Sequence, residues 1–354
     1  MYLQSIAHAV PEQAFTQAEA WSIIKRSGEL EHLKKRSAGL LEKVLLGNSG
    51  ITKRHLATDD VDRIFSLDAS ALNKNFEHAA PALSTRALTK SLHSAGILPE
   101  KLDALFICTC TGYLCPGITS YVAEQLDLSP HTYLQDIVGL GCGAAIPTLR
   151  SAEGFLAANP ESTVACIAVE VCSAAFYLDD NPGVLISACL FGDGAAASIW
   201  SNKSSTTGYR MCNFDTAHHP EHRELLRFTN SKGKLRNQLH RTVPQAAAPI
   251  VQGLFERSGM PNDTIIASHT GGRDVLDALE EILPTPPLNS ARNILSHYGN
   301  MSSPSVLFAL EEILKQNDPP ADIWLTSFGA GFAAHSCQLT KTEGRAPESV
   351  SKLL

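Results

Sequence analysis

The sequence predicts a layered α/β fold built in two halves. Three observations carry this reading. Short apolar runs alternate with helix-length segments along the chain, the second half repeats the grammar of the first, and 44% hydrophobic against 18% charged residues supplies a core for 354 residues, enough for two domains. This composition excludes disorder as the main state. With 29 Lys+Arg against 36 Asp+Glu, the net charge of -7 argues against general nucleic-acid or anionic-membrane binding, while leaving room for a local basic funnel.

The elements follow from local signals. Glu29 to Lys43 is charged and helix-friendly, and Asn48-Ser49-Gly50 is a turn. Pro81 to Ala95 reads as a helix with proline in its first turn, Gly96 at its end and Pro99 beyond. Leu102 to Cys110 is a nearly continuous apolar run closed by Gly112, hence a buried strand. Gly117 to Leu126 is a helix, Thr132 to Val138 a strand, and Ala144 to Asn159 a helix of small and apolar residues stopped by Pro160. Thr163 to Val171 and the run ending at Trp200 are strands. The polar stretch Asn202 to Thr207 divides the chain into halves at 1–206 and 207–354. Beyond it come strands at Arg210 to Phe214, Thr264 to Ser268, Asp322 to Ser327 and Phe332 to Leu339. Between them lie helices from Pro244 to Gly259, Asp274 to Leu283 and Ser303 to Lys315; Thr342 to Leu354 reads as a loose tail.

Nine cysteines are many for a chain whose first residues, Met1 to Phe15, lack a basic segment followed by an apolar run. No stretch reaches the roughly 18 apolar residues of a membrane span. An odd count rules out complete pairing within one chain, so a soluble, cytoplasmic protein with free thiols is expected. No CxxC pair points to a zinc ribbon or a redox motif.

Among those thiols Cys142 stands out. It sits at a strand-to-helix turn between Gly141 and Gly143, where unpaired amides and the positive helix end favour thiolate and could stabilise a thioester oxyanion. The plain alternative is a structural cysteine in a tight turn. A nucleophilic cysteine needs a basic partner, and His269, ending an apolar strand before Thr270-Gly271-Gly272, is the best-placed histidine of the second half. Its plain alternative is a strand-end histidine bonded to a carbonyl. Asn300, in Tyr298-Gly-Asn-Met-Ser-Ser303, could equally be a turn or cap residue.

Three motifs are rejected. Gly329-Ala-Gly331-Phe-Ala-Ala334 mimics a dinucleotide fingerprint but reads as strand rather than the opening of a helix inside a βαβ unit. Cys108, Cys110 and Cys115 lack a fourth ligand at a suitable spacing. His218, His219 and His222 read as a solvated polar loop. No metal is expected.

Taken together, Gly-Cys142-Gly, His269-Thr-Gly-Gly and Tyr-Gly-Asn300-Met-Ser-Ser resemble, in order and spacing, the chalcone synthase-like type III polyketide synthases. Leu190-Phe-Gly-Asp-Gly-Ala-Ala-Ala197, Cys108-Thr-Cys-Thr-Gly with Pro116-Gly117, and Ser49-Gly-Ile-Thr-Lys-Arg54 resemble further blocks of that family, so the resemblance spans about Gly50 to Leu339. It implies a thiolase fold, two duplicated α/β halves in five αβαβα layers, and a homodimer. It implies that Cys142 takes an acyl group from a coenzyme A thioester, that imidazolium His269 holds the resting thiolate, and that His269 and Asn300 stabilise the enolate left when a malonyl thioester loses carbon dioxide. Acyl-coenzyme A and malonyl-coenzyme A are then the substrates, and no further cofactor is needed. Phe191 matches the family gatekeeper, with core packing as its plain alternative. Cys110, Thr111, Cys172 and Ala175 match cavity-lining positions, and Cys115 aligns where the family sends a side chain across the dimer interface.

Some positions depart from the family. The Gly-Phe-Gly-Pro-Gly loop reads Ser327-Phe-Gly-Ala-Gly331, Thr270 replaces a proline, and Asn237 stands where a second gatekeeper phenylalanine is usual. The basic residues that grip coenzyme A phosphates are replaced by Val44-Leu-Leu-Gly, leaving Lys43, Lys53 and Arg54 as substitutes. Without them the acyl donor would arrive on a carrier protein. The nearest alternative is a single-condensation β-ketoacyl-acyl-carrier-protein synthase of the same fold; the next is a non-catalytic partner subunit, against which the complete Cys–His–Asn set argues.

Overall fold

Two copies of one strand order, joined side by side, build the computed structural model, which describes residues 1–205 and 207–342. The tail expected beyond Thr342 lies outside the described residues. In the first half the elements are β1 (Tyr2–Ala9), β2 (Ala14–Thr16), α1 (Gln17–Arg26), α2 (Lys35–Leu46), β3 (Lys53–His55), α3 (Ala69–Ala95), β4 (Ala104–Cys108), α4 (Ile118–Gln125), β5 (Tyr133–Ile137), α5 (Ala145–Ala158), β6 (Thr163–Glu170), α6 (Pro182–Leu190) and β7 (Gly194–Ser201). The second half has β8 (Tyr209–His218), β9 (Leu226–Ser231), β10 (Lys234–Leu239), α7 (Val243–Ser258), β11 (Ile265–Ser268), α8 (Arg273–Ile282), α9 (Asn289–Tyr298), α10 (Ser305–Leu314), β12 (Asp322–Gly329) and β13 (Ala333–Lys341).

The main ladder runs β11-β12-β13-β8-β1-β7-β6-β4-β5. Its two ends obey the same rule. β4 pairs parallel with β6, β6 antiparallel with β7, and β7 antiparallel with β1. Likewise β11 pairs parallel with β12, β12 antiparallel with β13, and β13 antiparallel with β8. This is duplication at the level of topology, where no residue-level repeat is visible. The halves meet at one pair, Tyr2 opposite Arg210.

Helices complete five layers. α3 covers the first sheet from outside and α7 the second, while α5 and α10 lie between the sheets, α5 touching β6 and β13, α10 touching β1 and β11. The largest core cluster is this middle, with Leu149, Leu310, Phe308 and Trp200 fully buried. Each such side chain contributes about 1.5–3 kcal/mol on burial. α10 is buried at eight of its ten positions, as a middle-layer helix requires, while α5 keeps Arg150 at an exposed position.

Two boundaries differ from expectation: the stretch Glu29 to Lys43 divides into a short turn at Glu29–His32 and α2, and α3 starts well before Pro81. The helix expected from Pro81 begins at Ala69, where the Asp68 carboxylate caps it by accepting from the Ala71 N–H at 2.8 Å. Pro81 lies inside and removes one helix hydrogen bond. Its neighbours Ala79, Ala80, Leu83, Ala87 and Leu88 pack into the core below, and that burial outweighs the loss.

Candidate active site

The nucleophile position is fixed by its glycines. β5 ends, Gly141 takes φ +59°, and the short turn Gly141–Gly143 delivers Cys142 to the start of α5. The turn is also pressed from behind. A Cβ at Gly141 would meet the Ala330 nitrogen at 2.9 Å, and one at Gly329 would meet the Gly143 nitrogen at 2.5 Å. The rejected fingerprint Gly329-Ala-Gly331 is therefore the loop between β12 and β13 that backs the cysteine turn, and no helix follows it.

The other two residues arrive from the second half. His269 follows β11, its N–H donating to the Thr326 carbonyl at 2.9 Å, with the Phe328 ring edge-on to the imidazole. Asn300 lies just before α10 and bridges to Phe191; its N–H donates to the Leu190 carbonyl at 2.9 Å. Its carboxamide does structural work too: Nδ2 donates to the Gly271 carbonyl at 2.9 Å, and Oδ1 accepts from the Ser302 N–H at 2.8 Å. An amide has two N–H donors, so one remains for a ligand.

All three groups converge on Ser302, which the sequence reading passed over. Its Oγ donates to Cys142 Sγ at 3.1 Å and lies 3.3 Å from Cys110 Sγ, and its backbone supports His269. The only sequence signal was its place two residues after Asn300.

Burial acts on both members of the expected ion pair. Cys142 and His269 are both buried among apolar groups. Burial pushes the Cys142 thiol up to about 12, and the Ser302 hydroxyl only partly offsets it. Burial likewise lowers His269 to about 4, and its Nδ1 has no partner among the described residues. Burial thus disfavours the charged form of each group taken alone, and a thiolate–imidazolium pair would have to draw on the mutual attraction of its two charges to offset that cost.

Beside the triad lies a narrow, mostly apolar cavity. Of the expected lining residues, Thr111, Cys172, Ala175, Phe191 and Asn237 line it; Cys110 instead faces Ser302. Sequence reading missed the walls supplied by α6 (Val184, Ser187) and by the β9–β10 hairpin (Phe228, Leu235). Asn237 donates to Ser187 Oγ at 2.7 Å. Two buried carboxylates shape this space. Glu170 accepts from the N–H groups of Cys110 and Thr111 at 3.0 and 3.1 Å and from Ser303 Oγ at 2.5 Å, tying the cavity wall to the Asn300 loop. Asp193 accepts from the N–H groups of Ala57 and Ser173. Burial pushes Asp193 up to about 6.

Comparison with known proteins decides the family. The family described as FAE1/type III polyketide synthase-like protein matches residues 6–253, more than half the chain, and the C-terminal domain of chalcone and stilbene synthases matches residues 226–331. The chain is a type III polyketide synthase. It is 28% identical over 327 residues to a 3,5-dihydroxyphenylacetyl-CoA synthase of Amycolatopsis orientalis, covering 88% of this chain and 85% of that one. It is 26% identical over 337 residues to the 1,3,6,8-tetrahydroxynaphthalene synthase of Streptomyces coelicolor, covering 92% and 88%. The crystal structure of the Streptomyces coelicolor tetrahydroxynaphthalene synthase superposes with a TM-score of 0.85 at 25% identity, over 97% of this chain and all of that one.

In this synthase one expected substrate contact is overturned. Arg54 is not available to coenzyme A phosphates, because it is fully buried. Its Nε donates to Gln17 Oε1 at 3.0 Å, and its Nη1 to the carbonyls of Ala188 and Phe191 at 2.8 Å each. The alternation of β3 turns Arg54 inward and leaves Lys53 on the opposite, half-exposed side. Arg54 thus clamps the segment that presents Phe191. Among the described residues no group of three or more His, Cys, Asp or Glu is placed to hold a metal, and no helix is long and apolar enough to cross a membrane.

Proposed function

We propose that this synthase loads an acyl group on Cys142 and extends it with malonyl units. The neutral His269 imidazole takes the thiol proton as Sγ attacks the acyl thioester, and the donor leaves as its thiolate, so the proton stays on His269. His269, now charged, and the free N–H of the Asn300 amide then donate to the thioester oxygen of a malonyl group as it loses carbon dioxide. The resulting carbanion attacks the acyl-Cys142 thioester, forming the carbon–carbon bond and releasing the sulfur. Removing either donor is expected to slow decarboxylation about 10²–10³-fold. No metal or redox group enters these steps.

The convergence of Cys142, His269 and Asn300 on Ser302 is the observation that carries this assignment. The product we infer is a small polyhydroxylated aromatic. The supporting observations are the relatives' names, which include phloroglucinol synthase and 1,3,6,8-tetrahydroxynaphthalene synthase. Lys43, exposed on α2, and Lys53 are the cations available for a coenzyme A donor. We further infer a homodimer, cytoplasmic in location. β5 ends the ladder unpaired, with Tyr133, Leu134 and Val138 exposed beside it, and Cys115 is exposed at the position the family uses for a cross-interface contact.

The test is incubation with malonyl-coenzyme A, alone and with aromatic or short-to-long aliphatic acyl-coenzyme A starters, followed by mass analysis of products and of the protein. Products of two or more condensations and an acyl adduct on Cys142 are expected. One condensation per turnover would reject the iterative reading, and no adduct from any acyl or carrier-bound donor would reject the assignment of Cys142.

A further inference from the structure

Ser302 holds a backbone conformation that its side chain disfavours. Its φ is +63°, in the left-handed region where glycine sits without penalty, and the residue is buried. Glycine would relieve that strain but would lose the hydroxyl. The hydroxyl is placed between two sulfurs, 3.1 Å from Cys142 Sγ and 3.3 Å from Cys110 Sγ.

We propose that Ser302 is a fourth catalytic residue of this site, its hydroxyl donating to the Cys142 sulfur and stabilising that sulfur while it carries negative charge. The proposal rests on the reading of Cys142 as the acyl-carrying nucleophile. A hydroxyl has one proton to give, and its direction is set by what lies on its other side. Burial raises the Cys110 thiol well above its ordinary value, so it stays S–H and donates to the Ser302 oxygen. The Ser302 proton is then left for Cys142, and a chain of hydrogen bonds polarised in one sense strengthens the final one.

The surroundings offer the sulfur little other help. Glu170 faces it from the end of β6 and disfavours a second negative charge. Cys110 and Cys172 are buried thiols held neutral. His335 lies behind Gly143 and is itself lowered to about 4 by burial. In the condensation step of the proposed mechanism, His269 and Asn300 are committed to the malonyl oxygen. The hydroxyl of Ser302 is the side-chain donor left to the sulfur, and hydrogen bonds to a charged acceptor are the strong ones.

The test is the rate of Cys142 alkylation by iodoacetamide from pH 6 to pH 10, with the adduct located by peptide mass. Losing a charge-assisted hydrogen bond raises a thiol by about one to two pH units. The lower thiolate fraction is partly offset by greater nucleophilicity, so Ser302→Gly is expected to react about three- to ten-fold more slowly at each pH. Removing atoms beside the sulfur widens access, so a slower rate cannot be steric. Ser302→Ala, which keeps the strain but not the hydroxyl, is expected to slow alkylation equally while melting at lower temperature, and it carries the test if the glycine variant does not fold. Unchanged or faster alkylation in a folded variant overturns the proposal. Alkylation needs no acyl donor, so this outcome is separate from failure of the wild-type protein to form an acyl adduct, which would sink the nucleophile reading instead.

Discussion

His269 can act as a base only while it is neutral, so its burial has a direct kinetic consequence. An ordinary imidazole is half protonated near pH 6.5, whereas burial lowers this one to about 4. As pH falls, an unburied histidine would lose its basic form through the sixes; His269 keeps it until about 4. The rate of Cys142 acylation by an acyl-coenzyme A, followed by intact mass, is therefore expected to stay level from pH 8 to about 5 and to drop only toward 4. An acid limb centred near 6.5 would show that water reaches the imidazole. His269→Gln should slow acylation about 10²–10⁴-fold across that range, the usual contribution of a positioned base.

At the scale of elements, the β9–β10 hairpin decides the shape of the cavity. Lys232 and Gly233 both have positive φ, at +52° and +77°, the geometry of a two-residue turn matched to strand twist. Leu235 and Asn237 on one strand, and Phe228 on the other, project from it into the cavity. Gly233→Val forces a β-branched side chain into the left-handed region, at a cost of about 1–2 kcal/mol, and its Cβ would crowd Ala69 at 3.0 Å. The expected result is a melting temperature lowered by a few degrees and a changed ratio of polyketide chain lengths, with acylation of Cys142 intact. An unaltered product ratio would mean that the hairpin does not set the cavity. This hairpin was not legible in the sequence, since Lys-Gly is a weak turn signal and both strands are polar. β1 was missed for a similar reason: alternation at the very start of the chain was read only for targeting. The strands β4, β6, β11 and β12 were legible because burial on both faces demands nearly continuous apolar runs. Arg54 misled for the converse reason. Charge suggested a phosphate grip, but only the inward alternation of β3 and the carbonyls of Ala188 and Phe191 explain a buried guanidinium.

The whole molecule places its chemistry where the two copies of the topology meet. Cys142 precedes α5 and Asn300 precedes α10, the two helices of the middle layer, so duplication brings equivalent helix starts to one site. The same strand order leaves β5 as the outer strand of the first half, with Tyr133, Leu134 and Val138 48%, 38% and 52% exposed. An unpaired edge of this kind invites another strand, and in the homodimer proposed above a two-fold copy would satisfy it by pairing β5 with itself in antiparallel register. Leu134→Arg together with Val138→Arg would bring like charges together across that axis, whichever antiparallel register the two strands take. Sedimentation at micromolar concentration is expected to give a dimer for the wild type and a monomer for the double variant, with far-ultraviolet circular dichroism unchanged, because neither side chain belongs to the buried core. A double variant that stays dimeric would move the interface away from β5. A wild type that is monomeric at all concentrations would remove the dimer altogether, and the exposed Cys115 would then face solvent rather than a second subunit.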